Sequence, residues 1–93
     1  MSEESGYRII VKGEVQNVGF RYSTCEKARS LGLRGLVKNL ANGDVFIEVF
    51  GDETKIKAFY EWCKKGPPMA NVLNLDLTPI TRLEKMNEFR MMR

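Results

Sequence analysis

An α+β sandwich is the fold class this sequence predicts, with an antiparallel sheet of four to five strands carrying two helices on one face. Three observations lead there. Alternating, partly β-branched stretches recur at 7–15, 33–40, 45–50 and 72–80, the period of half-buried strands. Two stretches between them repeat apolar residues every third or fourth position, the period of a helix. At 93 residues and 43% hydrophobic content, the chain is sized for one domain, here 7–93, behind a polar tail at 1–6.

The first strand, 7–15, carries Ile9, Ile10, Val11 and Val15. Gln16, Asn17, Val18 and Gly19 follow with the composition of a tight turn. Phe20, Thr24, Ala28 and Leu31 then make the apolar stripe of a first helix, which Gly32 is placed to end in a left-handed cap. A second strand runs over 33–40, and Ala41, Asn42 and Gly43 signal a hairpin turn. In the third strand Val45, Ile47 and Val49 alternate with Phe46, Glu48 and Phe50, so it has apolar character on both faces.

Asp52 is a capping residue for a second helix whose stripe is Ile56, Phe59, Tyr60 and Cys63, stopped by Gly66, Pro67 and Pro68. A fourth strand spans 72–80, with Pro79 marking its end or a sheet edge. A short last strand is expected at 88–92. The order β-α-β-β-α-β is the ferredoxin-like split βαβ arrangement. Many chemistries share it, so function must come from a site.

Composition narrows the field. No stretch is long and apolar enough to span a bilayer, and the polar start has no apolar run for a secretory signal; a cytoplasmic, membrane-free protein is expected. Cys25 and Cys63 lie far apart, fit no metal-ligand spacing, and have no histidine to join them, so reduced thiols and no metal or cofactor are expected. The net charge of +3 is spread among interleaved acids, a mild bias toward small anions.

Two segments suggest chemistry. The first, 13–21, joins the first strand to the first helix and ends in Arg21. Such a loop turns successive N–H groups inward beside a helix N-terminus, which favours an anion. Arg21 adds a planar fork of donors suited to phosphate oxygens. The plain alternative is a surface arginine, although a cation at the positive end of a helix dipole is mildly unfavourable. The second segment, 35–45, carries Asn39 near a strand end, where asparagine ordinarily serves turn chemistry.

Together these segments closely resemble the acylphosphatase family over about 7–89. The resemblance rests on G-x-V-Q-x-V-x-F-R at 13–21, Leu-Gly-Leu at 31–33, and G-x-V-K-N-x-x-x-G-x-V at 35–45. Gly51, Gly66-Pro67-Pro68 and Glu88-Phe89 also fit the pattern. The resemblance implies that Arg21 binds phosphate and Asn39 orients the attacking water. It implies a backbone cradle from Val15, Gln16, Asn17, Val18 and Gly19. The substrate would be a small acyl phosphate, cleaved to a carboxylate and inorganic phosphate by a monomer.

So sparse a site suits that reaction. Phosphoryl transfer through a loose transition state needs positioning and charge neutralisation more than covalent help. The leaving carboxylate has a conjugate-acid pKa of about 4, so it departs without a proton. Two positions depart from the family pattern: Asn17, usually glycine there, and Leu36, where an aromatic is common. Asparagine takes positive φ more readily than most residues, so the loop is expected to keep its shape. Two other readings are a catalytically weak domain of this fold and a nucleic-acid-binding module. Phe46 and Phe50 superficially suit the latter, but Glu48 lies between them and the RNA-recognition consensus is not matched at 42–50.

Overall fold

The computed structural model describes residues 4–81 and 86–93. Its elements follow in the order β1 (Glu4–Glu14), α1 (Phe20–Ser30), β2 (Arg34–Asn39), β3 (Val45–Asp52), α2 (Glu53–Cys63), β4 (Asn71–Pro79) and β5 (Phe89–Met91). The strands form one sheet in the order β4-β1-β3-β2-β5. This is the α+β architecture expected from the sequence.

The alternation read in the strands is the alternation of the sheet. Ile9 pairs with Ile47, which pairs in turn with Val37, so one row of fully buried side chains crosses three strands. Both helices cover that face. From α1 it receives Phe20, Thr24, Cys25 and Ala28, and from α2 Ile56, Phe59 and Cys63. Phe59 packs on Phe89 of β5 with ring centroids 6.0 Å apart, tying the last strand into the core. Both helix-end signals hold. Gly32 has φ 69°, and the Asp52 carboxylate accepts hydrogen bonds from Thr54 N and Lys55 N at 2.8 and 3.3 Å.

On the opposite face Arg8 and Lys38 lie over the Phe46 ring, at 5.6 and 5.1 Å from its centroid. Arg8 also pairs with Glu48. The face is therefore a cross-strand lattice of cations, carboxylates and rings.

Two expectations need correction. The sheet is mixed rather than antiparallel, because β5 runs parallel to β2, with Gly35 beside Phe89 and Val37 beside Met91. β4 and β5 lie at opposite edges, so a crossover joins them, and a crossover permits parallel pairing where a hairpin does not. The expected tail at 1–6 is also too long. Residues 1–3 lie outside the described residues, but Glu4, Ser5 and Gly6 extend β1, paired with Asp52, Gly51 and Phe50. Their own propensity for strand is poor. What holds them is β3 continuing alongside, and Glu53, whose carboxylate accepts from Ser5 Oγ at 2.8 Å and from Tyr7 OH at 2.9 Å.

Candidate active site

Between β1 and α1 the chain must turn sharply in five residues. Val15 anchors the turn, only 1% exposed. Asn17 (φ 63°) and Gly19 (φ 77°) both take the left-handed conformation, and Asn17 is the one non-glycine residue with positive φ among the described residues. Asparagine at that position thus does what glycine would, as the sequence suggested. Gly19 is the N-cap of α1.

That N-terminus is electrostatically bare. The first N–H groups of any helix lack partners within the helix, and α1 has neither a side-chain cap nor an acidic residue in its first turn. It has Arg21 instead. By contrast, α2 begins with the Asp52 cap and Glu53 in its first turn. Uncapped donors, dipole and guanidinium therefore concentrate positive potential at one end of α1.

Asn39 closes β2, paired with Val45. Its Oδ1 is buried and finds no hydrogen-bond partner among the described residues. A buried acceptor without a donor is costly and marks a place where something with a proton to donate belongs.

A cleft of about 130 Å³ brings these parts together: Val15, Asn17 and Gly19 from the loop, Arg21 from α1, and Asn39 from β2. At about 30 Å³ per water, it has room for several waters or one phosphate group. Gln16 and Val18, expected in the same cradle, do not line it. Both are half-buried, and the Gln16 side chain reaches across to the β2–β3 turn instead.

Four further residues at the cleft mouth escape sequence reasoning. Tyr22 and Met91 line the cleft, and Met92 and Arg93 join Arg21 and Asn39 in an adjoining hollow. Arg21 Nη1 donates to the Met92 carbonyl at 2.7 Å, while Met92 N donates to Val37 O at 2.8 Å. The chain end is thereby placed against the guanidinium by the parallel β5–β2 pairing. No motif marks it; only the expectation of a strand at 88–92 pointed there. The Tyr22 hydroxyl donates to Glu26 Oε2 at 3.1 Å, which raises its pKa above the ordinary 10.0 and keeps the phenol protonated.

Among the described residues no group of three or more His, Cys, Asp or Glu side chains is placed to hold a metal ion, and no helix is long and apolar enough to cross a membrane.

Comparison with known proteins shows the family. The family model described as Acylphosphatase matches residues 7–91. A curated acylphosphatase of Acaryochloris marina is 43% identical over 83 residues, covering 89% of this chain and 85% of its own length. The crystal structure of an acylphosphatase from Bacillus subtilis superposes with a TM-score of 0.92 at 37% identity, over 98% of this chain and 100% of that one. The structure of an acylphosphatase from Coxiella burnetii gives 0.91 at 39% identity, over 96% and 93%.

Proposed function

The chain belongs to the acylphosphatase family and hydrolyses acyl phosphates, and from that premise we propose how its residues divide the work. The guanidinium of Arg21 and the backbone amides of Val15, Asn17 and Gly19 hold the phosphoryl group at the bare N-terminus of α1. Asn39 orients the attacking water by accepting a hydrogen bond through Oδ1, which turns an oxygen lone pair toward phosphorus. The single observation that carries this reading is that Arg21, the left-handed loop residues and Asn39, whose buried Oδ1 has no partner among the described residues, line one cleft.

The chemistry then needs little more. As the P–O bond to the carboxylate lengthens, its electron pair leaves with the carboxylate, while the guanidinium fork and amides hold the phosphoryl oxygens over which the remaining charge is spread. The carboxylate leaves unprotonated, so no general acid is called for. Water adds as the bond breaks and both of its protons stay with the phosphate, giving a free carboxylate and inorganic phosphate.

In this reading the enzyme acts as a monomer, in the cytoplasm, on a free small molecule, and without a metal or other cofactor. Both thiols are free and buried. The reading includes no nucleic-acid partner, which is supported by the pairing of Arg8, Lys12 and Arg34 on the sheet's open face with Glu48, Asp44 and Glu4.

The test is hydrolysis of an aryl acyl phosphate in excess chelator, with inorganic phosphate as inhibitor. Undiminished turnover and competitive inhibition are expected, with simple alkyl phosphates poor substrates because their leaving alkoxide needs an acid. Activity lost to chelator and restored by a divalent ion would sink the mechanism.

A further inference from the structure

The two halves of the cleft come from strands that do not touch. The loop follows β1 and Asn39 ends β2, yet β3 lies between those strands in the sheet. The distance from the phosphate-binding loop to Asn39 is therefore not set by direct pairing of the strands that carry them. It depends on side chains that reach across the end of β3.

Gln16 makes that reach. Its Nε2 donates to the Leu40 carbonyl at 2.7 Å and to the Asp44 carbonyl at 2.9 Å. Both acceptors are carbonyl oxygens, so the nitrogen end of the amide must face them. Leu40 directly follows Asn39, and Asp44 precedes the residue that pairs with Asn39 across the ladder. One half-buried side chain thus grips both sides of the hairpin neck next to Asn39.

A second tie, from β1 to this turn, is Lys12 Nζ to Asp44 Oδ2 at 3.3 Å, an ion pair with a half-exposed lysine. Such pairs hold geometry weakly.

We propose that Gln16 is a positioning residue for the hydrolysis, acting through Asn39 rather than on the substrate. Its side chain fixes Asn39 relative to the loop, and so fixes where the water is held relative to phosphorus. This rests on the role of Asn39 given above.

The neck does not need Gln16 in order to exist. The Leu40 carbonyl also accepts from Gly43 N at 3.1 Å, and the Asp44 carbonyl from Leu40 N at 2.8 Å. Removing the amide leaves both carbonyls with a donor and the hairpin closed, while its tie to the loop is lost. Misplacement of reacting groups by about 1 Å costs on the order of 10²-fold in rate.

The experiment is a double-mutant cycle. Gln16→Leu removes both donors at similar volume, and Gln16→Glu presents an acceptor to two carbonyls; each is made alone and with Asn39→Ala. The readouts are kcat, KM and the inhibition constant for inorganic phosphate, with circular dichroism to select folded variants. Both single Gln16 variants should lose about 10–10² in kcat, with phosphate inhibition changed by less than about threefold. In the Asn39→Ala background the same substitutions should cost less than about twofold, because nothing remains to be placed.

A full multiplicative loss in that background overturns the proposal, as does wild-type kcat in a folded Gln16→Leu protein. So does a kcat loss matched by an equal loss of phosphate affinity, which would make Gln16 a shaper of the loop alone. The underlying reading fails separately, if Asn39→Ala by itself keeps wild-type turnover.

Discussion

Replacing Asn17 by valine separates backbone geometry from side-chain chemistry in the loop. Asn17 stands at φ 63°, in a region that costs an ordinary L-residue about 1–2 kcal/mol and asparagine less. Its side chain is exposed and it lines the cleft. Valine keeps the charge unchanged but resists this φ, so the folded protein should lose about 1–2 kcal/mol. For a domain of this size that corresponds to roughly 4–16 °C in Tm. If the loop instead relaxes to negative φ, the stability loss shrinks but the amides move, and turnover should fall about 10–10²-fold. Glycine relieves the strain but is more costly to order, by about 0.5–1 kcal/mol, so Asn17→Gly should change stability little and leave turnover equal or several-fold higher. The assays are thermal unfolding and steady-state hydrolysis of an aryl acyl phosphate on both variants. Wild-type Tm together with wild-type turnover in Asn17→Val would refute the claim that left-handed geometry is required. A collapse of turnover in Asn17→Gly would show that the carboxamide itself takes part.

Arg21→Ala should remain folded and lose about 10³–10⁵ in kcat, as catalytic arginines do in phosphoryl transfer, and Arg21→Lys should not restore it because a point charge cannot reproduce the fork. Asn39→Ala should cost about 10²–10³, the scale of one oriented group lost at a charged transition state. Gly19→Ala tests conformation alone: a methyl group there meets nothing within 4 Å, so the expected loss of about 1–2 kcal/mol in a denaturant titration comes from φ 77° and not from a clash. Burial pushes the Cys63 thiol well above its ordinary 9.0. A raised folded-state pKa leaves its stabilising contribution intact below pH 9 and removes it as pH rises further, because the unfolded thiol ionises first. Unfolding free energy should therefore decline above about pH 9 and decline less steeply in Cys63→Ala; equal slopes would remove the thiol from the account.

Much of the fold was legible because its signals are local. Asp52 announces its helix by side-chain chemistry, Gly32 ends one by tolerating positive φ, and Ile9, Val37 and Ile47 alternate because a pleated strand must. That Arg21 and Asn39 share a cleft was legible for another reason: they sit in motifs whose spacing fits a known family. What sequence could not supply depends on neighbours. Glu4 to Gly6 have no strand character of their own and are held by β3 and Glu53. The placement of Met91 and Met92 at the cleft follows from a parallel pairing that no residue in 88–92 encodes. Gln16 was read as one member of a backbone cradle, whereas its side chain spans to a carbonyl 24 positions later.

The two helices show why the site lies where it does. Each has 11 residues and covers the same sheet face, so their packing roles are alike. Their N-termini are opposites. The chain satisfies α2 from within, with the Asp52 carboxylate on two of its amides and Glu53 beside them. At α1 it supplies no carboxylate and no hydroxyl, and adds Arg21, which raises the local cost further. A stability argument alone would place an aspartate at Gly19. That carboxylate would satisfy the same amides and the same guanidinium that an anionic substrate needs, and would occupy the cleft in its place. In the proposed mechanism the bare terminus is a stability deficit kept open for a phosphoryl group, whose oxygens can take several donors at once. In that mechanism binding offsets the deficit, and it adds to rate only as far as these donors hold the transferring group more tightly in the transition state than in the ground state.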